Sequence, residues 1–159
     1  MNKTEIMKCI IAQLSHDLHV FFTAAKSAHK AATHAENIPD NKYDTLALEA
    51  SYVAQGQANR AQEIRKSIEI YKQLTPQDAN DKIIRLTSLV SLEDLEGAAK
   101  TVFIGPVEGG LKIDHRGKEI VVITPGSPMG RALIGKRVGD SVEIKVGTDR
   151  REYEIVEVS

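Results

Sequence analysis

The amino-acid sequence predicts an α+β fold, in which an N-terminal antiparallel coiled-coil hairpin of two helices precedes a small antiparallel β-sheet domain with one short helix. Two observations support this prediction. Residues 4–74 contain one proline, Pro39, and one glycine, Gly56, a composition typical of long helices interrupted by a single turn. Beyond a polar stretch, short runs of β-branched residues alternate with turns, which is the pattern of strands.

The change of pattern defines the predicted domain organisation. We place a helical finger over residues 1–75, with its tip at about residues 36–46, and a linker over residues 76–84. The sheet domain then covers residues 85–159, a stretch of about 75 residues that can form a core of its own.

The two predicted helices carry matching hydrophobic seams. Apolar residues recur at alternating spacings of four and three from Met7 to Ala35, and the second arm repeats this rhythm from Ala47 to Tyr71. Folding the chain about residue 41 pairs seam residues whose numbers add to 82, for example Leu18 with the isoleucine at 64. Small residues then face small ones near the turn and large residues face large ones near the base. We therefore predict a slender, close-packed coiled coil with an arm of about 40 Å.

The second half of the chain predicts about five strands and one short helix. Ser127 is a suitable N-cap for that helix, Pro128 fits its first position, and Gly135 can end its last turn. The predicted strands, each bounded by turn residues, are residues 85–93, 101–105, 119–124, 141–146 and 152–158.

Composition excludes several classes of protein. The net charge of −1 and the lack of a basic arm indicate that any contact with nucleic acid is local or made through a partner. Cys9 is the single cysteine, so no internal disulfide can form, and a cytoplasmic protein is predicted. No apolar run approaches the roughly 18 residues of a membrane span.

Four acids cluster at the predicted tip: Glu36, Asp40, Asp44 and Glu49. Asp40 or Asn41 could cap the second helix, and Asp44 would be favourable in its first turn. Capping accounts for one or two acids but not for this concentration at the end of a thin rod. Such a tip also suits the delivery of carboxylates into a narrow site, where they hold a divalent ion or position a water molecule. The sequence leaves both interpretations open.

Residues 123–158 carry a specific set of motifs. Ser127-Pro128 is followed by "ALIGK" at 132–136 and by "VGD" at 138–140, directly before a predicted strand. In this order and spacing the segment resembles the C-terminal domain of the Gre transcript-cleavage and elongation factors. The helical stretch "EASYVAQGQANRAQEI" likewise resembles the ascending tip of that family's finger, with Tyr52 in the place of its tyrosine.

The resemblance implies a coiled-coil finger joined to a domain similar to the FK506-binding fold. The globular domain would dock at the rim of the RNA polymerase secondary channel, through Ser127, Pro128 and the adjacent Met129. The finger would enter the channel and bring two acids beside the catalytic Mg²⁺, so that the polymerase cleaves backtracked RNA.

Several expectations about partners follow from this picture. The protein would be an accessory factor rather than an enzyme, a monomer with no cofactor or metal of its own and no membrane contact. It would meet the nascent RNA 3′ end and DNA only within the transcription complex. The outward basic residues Lys26, Lys30 and Arg60 are candidate contacts for RNA phosphates.

The tip departs from the family pattern. In the family the paired acids lie seven and four residues before the tip tyrosine, and counting back from Tyr52 gives Thr45 and Leu48. The nearest acids, Asp44 and Glu49, are each one place away, and Asp40 is a further candidate partner. The sequence therefore supports docking to the polymerase more strongly than it supports cleavage.

Three other functions stay open at this point. A factor that occupies the channel as a modulator or inhibitor, without stimulating cleavage, is the nearest alternative. A peptidyl-prolyl isomerase would need an aromatic-lined pocket, whereas residues 76–159 contain only Phe103 and Tyr153 as aromatic residues. A helical-hairpin adaptor with no role at the polymerase active site is the third.

Overall fold

Two long helices, α1 (Lys3–Glu36) and α2 (Asn41–Gln73), form the N-terminal part of the chain. The computed structural model describes the backbone of residues 2–36 and 41–159, and the side chains of these residues except 25, 28, 29, 31–36 and 41–51. The chain divides into two compact units, one of residues 11–72 and one that combines residues 1–10 with residues 73–159. No helix in the described ranges is long and apolar enough to cross a membrane.

The predicted seam is confirmed by burial along α2. Ala61, Ile64, Ile68 and Tyr71 are all buried, and the next two seam positions towards the tip, Gln57 and Ala54, are half-buried. The residues between them, such as those at 62, 63, 65 and 66, are exposed. This three-and-four rhythm of burial is the signature of a helix that packs along one stripe.

One of two contacts made by the α1 aromatic residues, that of Phe21, is consistent with the predicted register. The guanidinium of Arg60 lies 6.0 Å from the centre of the Phe21 ring, and that of Arg65 lies 5.9 Å from the Phe22 ring. The register predicts Ala61 opposite Phe21, one residue away from the observed Arg60 contact. The specific pairing of Leu18 with Ile64 stays a prediction.

The middle of α2 contains two destabilising features in succession. Gly56 lies in the helix interior, and a Cβ atom built there would meet nothing within 4 Å, so packing does not require glycine. In the next residue, Gln57, the side-chain Oε1 is buried and has no hydrogen-bond partner within the described part of the structure. An unsatisfied buried oxygen costs about 1–3 kcal/mol. Both features lower the stability of this part of α2.

The C-terminal domain is one six-stranded sheet in the spatial order β3-β4-β2-β1-β6-β5. Neighbouring strands are antiparallel except β2 and β4, which pair in parallel, with Thr101 opposite Ile120. The strands are β1 (Leu89–Asp94), β2 (Ala99–Ile104), β3 (Lys112–His115), β4 (Lys118–Ile123), β5 (Ser141–Val146) and β6 (Asp149–Val158).

The predicted sheet needs two corrections: it is mixed rather than antiparallel, and it has six strands rather than about five. The unpredicted strand is β3, which has four residues and buries only Ile113, so it is too short to show a period of two. Because β3 turns back on β4 as an edge hairpin, β4 runs in the same direction as β2. The first strand also begins at Leu89 rather than 85, since Thr87 adopts φ +73° in a preceding turn.

A core cluster on one face of the sheet holds the short helix α3 (Pro128–Leu133) in place. Leu133 is fully buried in this cluster, and Met129 and Ala132 pack against it. The strand residues of the cluster are Val90, Leu92, Val102, Ile104, Val142, Ile144, Tyr153, Ile155 and Val158. The residues around α3 are thus fixed by packing, which is what a rigid binding surface requires.

We expect a double-mutant cycle between Leu18→Ala and Ile64→Ala to reveal the register of the finger. Residues in contact show coupling energies of about 0.5–3 kcal/mol, whereas separated residues are close to additive. Ile64→Ala alone should cost about 2–5 kcal/mol because this side chain is fully buried. The free energies of unfolding are measured by chemical denaturation. A second cycle, between Leu18→Ala and Ala54→Gly, is the control, and equal coupling in both cycles would contradict the register.

We also expect Gly56→Ala to stabilise the finger by about 0.5–1 kcal/mol, because alanine removes unfolded-chain entropy at a site with free space. Melting of the helices, followed by circular dichroism, measures the effect. The matched control is Gly97→Ala, because Gly97 has equally free space but a φ of +83° that disfavours alanine. A finger destabilised by Gly56→Ala would show that the glycine has a packing role.

Candidate functional site

Ser127-Pro128-Met129, the predicted partner contact, forms the start of α3. Ser127 is the N-cap: its hydroxyl accepts a hydrogen bond from the Gly130 N–H (3.0 Å) and donates one to the carbonyl oxygen of Thr124 (2.7 Å). These two bonds fix the position of Pro128, whose missing N–H has no cost at a first helical position. Pro128 is exposed, whereas Met129 is half-buried against the core.

Gly130 allows α3 to lie directly against the preceding turn. A Cβ atom at this position would be 2.0 Å from the carbonyl oxygen of Thr124 and 3.0 Å from the Cα of Pro125. No side chain fits this space without movement of the backbone. The glycine therefore sets how closely Pro128 and its neighbours approach the sheet.

The end of α3 is held by hydrogen bonds to the segment that leads into the sheet. Gly135 adopts φ +85°, and its N–H donates to the carbonyl oxygen of Ile84 (2.9 Å). The N–H of Ile84 donates in turn to the carbonyl oxygen of Lys136 (2.9 Å). The "ALIGK" motif therefore ends α3 at a residue of left-handed conformation, as predicted for Gly135. The same motif is hydrogen-bonded to the backbone of Ile84.

The "VGD" motif forms the turn before β5. The Asp140 carboxylate accepts a hydrogen bond from the Arg137 N–H (2.8 Å), and Gly139 adopts φ +90°. Ile155 of β6 donates its N–H to the carbonyl oxygen of Asp140 (2.9 Å). These bonds join the turn to the sheet, so "VGD" has a structural role that sequence spacing alone did not reveal.

Two apolar side chains beside the predicted contact remain exposed to solvent. Ile134 has an exposed fraction of 38 % and Val138 of 44 %. Pro128 is exposed as well, so the segment 127–140 has three exposed apolar residues. Sequence reasoning missed both residues, because an isolated apolar residue in a turn carries no periodic signal.

An ion pair strengthens the segment that holds α3. The Arg85 guanidinium donates a hydrogen bond to the carboxylate of Asp81, and the Ile83 N–H donates a second (3.2 Å). Arg85 first, and then the N–H of Ile83, hold the pKa of Asp81 below its ordinary value. Because the folded-state pKa is the lower one, this carboxylate stabilises the fold at neutral pH and ceases to do so as the pH falls through that pKa.

The predicted tip acids are only partly described. Asp40 lies outside the described residues, and the side chains of Asp44 and Glu49 also lie outside them. The backbone at positions 44 and 49 is helical, because α2 begins at Asn41. Helical positions five residues apart differ by about 140° around the axis. Tyr52, in the following turn, has an exposed fraction of 70 %.

The three basic residues predicted to contact RNA differ in their surroundings. Lys26 and Lys30 are exposed. Arg60 is half-buried, its Nη1 lies 3.3 Å from the Glu63 carboxylate, and its guanidinium covers the Phe21 ring. Arg60 is therefore already engaged within the finger. In the described parts of the chain, no group of three histidine, cysteine or acidic side chains is placed to hold a metal ion.

Comparison with known proteins identifies the family. Residues 79–159 match the family model for the C-terminal domain of the transcription elongation factors GreA and GreB. This chain belongs to the GreA/GreB family. GreA of Neisseria meningitidis serogroup B is 30 % identical over 133 residues, which cover 81 % of this chain and 77 % of that protein.

One further relative is similar to about half of the chain, and one solved structure aligns with most of it. The transcription inhibitor protein Gfh1 of Thermus thermophilus is 36 % identical over 84 residues, 52 % of this chain and 51 % of Gfh1. A crystal structure of Gfh1 from the same organism aligns over 94 % of both chains, at 25 % identity and a TM-score of 0.41.

The family match contains the capped segment 127–129 and both motifs that follow it. The finger lies outside the matched residues, although the alignment with Neisseria GreA, at 81 % of the chain, extends beyond them. The resemblance noted from Ser127-Pro128, "ALIGK" and "VGD" is thus confirmed for the sheet domain.

We expect Gly130→Ala to destabilise the sheet domain by about 1–3 kcal/mol, because the new methyl group would overlap the carbonyl oxygen of Thr124. Gly126→Ala is the matched control, because a Cβ atom at that position in the same turn meets nothing within 4 Å. Chemical denaturation of both variants measures the difference. Equal stabilities for the two variants would contradict the close approach of α3.

Proposed function

We propose that this protein binds RNA polymerase and regulates transcription elongation, with the sheet domain as its docking unit. The observation that carries the proposal is the match of residues 79–159 to the GreA/GreB C-terminal domain. Within that match, Ser127 holds Pro128 rigidly at an exposed helix start. A fixed, exposed proline beside apolar residues is a good contact, since little conformational entropy is lost when it binds.

The finger would act as the part that reaches the polymerase active site through the secondary channel. Helices α1 and α2 have 34 and 33 residues, so each is about 50 Å long. The seam of α2 is buried from Ala61 to Tyr71, and the exposed positions in the second half of α1 include Lys26 and Lys30. A helical pair with this composition is suited to a water-filled, RNA-containing channel.

The helical start of α2 favours a modulator of transcription over a stimulator of RNA cleavage. Two acids can share one Mg²⁺ only if both reach ligand distance, about 2.1 Å. A helical backbone separates positions 44 and 49 by about 140°, which opposes convergence on a single ion. The Mg²⁺ would belong to the polymerase, and any cleavage would be performed by the polymerase active site. A relative named as a transcription inhibitor is consistent with this choice.

An isomerase function is not favoured. Phe103, one of the two aromatic residues after position 76, is fully buried and cannot line a substrate pocket. Tyr153 is nearly buried as well. Tyr153 alone does not make the aromatic-lined pocket that an isomerase requires, so the likeness of fold does not support this activity.

We expect Pro128→Asp to weaken binding to core RNA polymerase by about tenfold or more, because it places a charge at the centre of the proposed contact. Affinity is measured by titration of labelled protein with polymerase, and circular dichroism checks the fold. Thr75→Asp is the charge-matched control, because Thr75 is exposed and lies outside the family match. Unchanged affinity of folded Pro128→Asp would show that docking uses another surface.

We expect Asp44→Asn to alter transcription by the bound polymerase without a comparable loss of affinity. The assay compares RNA cleavage and pausing in stalled elongation complexes with the wild type, the Asp44→Asn variant and a variant with Asp40→Asn, Asp44→Asn and Glu49→Gln. Little cleavage is expected even with the wild type. Identical transcription profiles for all three proteins would show that the acids serve only as helix caps and solubilising groups.

A further inference from the structure

A groove lies beside α3 on the core-bearing face of the sheet. Its narrow part, a cavity of about 250 Å³, is lined by Met129 of α3, Ile144 and Val146 of β5, Arg151 and Tyr153 of β6, and Lys100 of β2. These residues come from four elements, and β2 and α3 are distant in sequence from each other and from the β5–β6 hairpin. Met129 also belongs to the proposed docking segment, so the groove is continuous with it.

A wider cavity of about 510 Å³ continues the groove across the sheet towards β4. It shares Lys100, Arg151 and Tyr153 with the narrow part and adds Lys118 and Glu119. The narrow part is smaller than the roughly 300–1,000 Å³ of typical small-molecule sites. The narrow part is large enough for one apolar side chain of a bound segment. The wider part provides room for the neighbouring residues of that segment.

The groove combines exposed apolar surface with two cations, Lys100 and Arg151. Val146 is 63 % exposed, although it lies beside the core residue Ile144. Within the described residues, Lys100 and Arg151 form no ion pair or side-chain hydrogen bond. The narrow part has these two cations against one carboxylate, that of Asp149. Asp94, in the wider part, already accepts hydrogen bonds from two backbone N–H groups.

We propose that this groove binds a polymerase segment in which an aliphatic side chain adjoins a carboxylate. The aliphatic group would occupy the space between Met129 and Val146, and the carboxylate would lie over Arg151 and Lys100. An arginine suits this role because its fork of donors matches the two carboxylate oxygens. The flexible thioether of Met129 allows the narrow part to adapt to the inserted side chain.

The inference rests on the proposed function and extends it, because it assigns the chemistry of the partner and a second contact region. A contact confined to residues 127–129 would be small for a stable interface. Addition of the groove would bring residues of α3, β2, β5 and β6 into one interface. It would also provide a desolvated apolar centre with charged groups at its margin, the arrangement in which binding energy concentrates.

The test measures the affinity of Arg151→Glu and Val146→Asp for core RNA polymerase, with Lys145→Glu as the matched control. Lys145 lies between Ile144 and Val146 in β5, so strand alternation puts its side chain on the opposite face. We expect each groove variant to weaken binding about tenfold or more and Lys145→Glu to weaken it less than about twofold. Arg151→Gln, which removes the charge without reversing it, should give a smaller loss and provides a second measurement if Arg151→Glu does not fold.

The other outcomes separate this inference from the proposed function. If Pro128→Asp weakens binding but the groove variants do not, docking stands and the groove proposal is wrong. If the wild type itself does not bind polymerase, the proposed function fails. Equal losses for Lys145→Glu and Arg151→Glu would indicate a general charge effect and overturn the groove proposal. A reduced affinity of Arg151→Glu for an RNA–DNA scaffold without polymerase would assign the groove to nucleic acid and also overturn it.

Discussion

The close approach of α3 to the turn at Thr124 is the constraint on which the proposed docking surface depends. Gly130 leaves no space for a side chain against the carbonyl oxygen of Thr124, and Ser127 bonds both to this carbonyl and to the Gly130 N–H. The helix is too short to be stable alone. Its position therefore comes from this contact and from the burial of Leu133 in the core.

The same packing fixes the position of the surface around α3 relative to the sheet. Met129 packs on the core from one side and lines the groove on the other. The turns after α3 are bonded to the chain at Ile84 and to β6, so the segment 127–140 is attached at both ends. The finger differs, since Gly56 and the unsatisfied Gln57 weaken the middle of α2. The docking segment is thus fixed by packing and hydrogen bonds, whereas the middle of α2 carries two unfavourable features.

Hydrophobic spacing and helix-capping preferences predicted the features that depend on residues close in sequence. The seam from Ala61 to Tyr71 follows from spacing alone, and the cap at Ser127 follows from a serine before a proline. The parallel β2–β4 pair was not predictable in this way, because strand order depends on contacts between distant residues. The groove was missed for the same reason: Lys100, Met129 and Arg151 are brought together only by the fold. For the acid at 44, the sequence predicts a position but not the direction of its side chain.

The central claim is that the sheet domain contacts the polymerase through α3 and the turn that follows it. Hydrogen–deuterium exchange of this protein, free and bound to core RNA polymerase, tests this claim directly. The account predicts that peptides covering residues 127–140 and 144–153 exchange more slowly in the complex, while peptides from β3 do not change. Protection confined to α1 and α2, with unchanged exchange over residues 127–140, would contradict it.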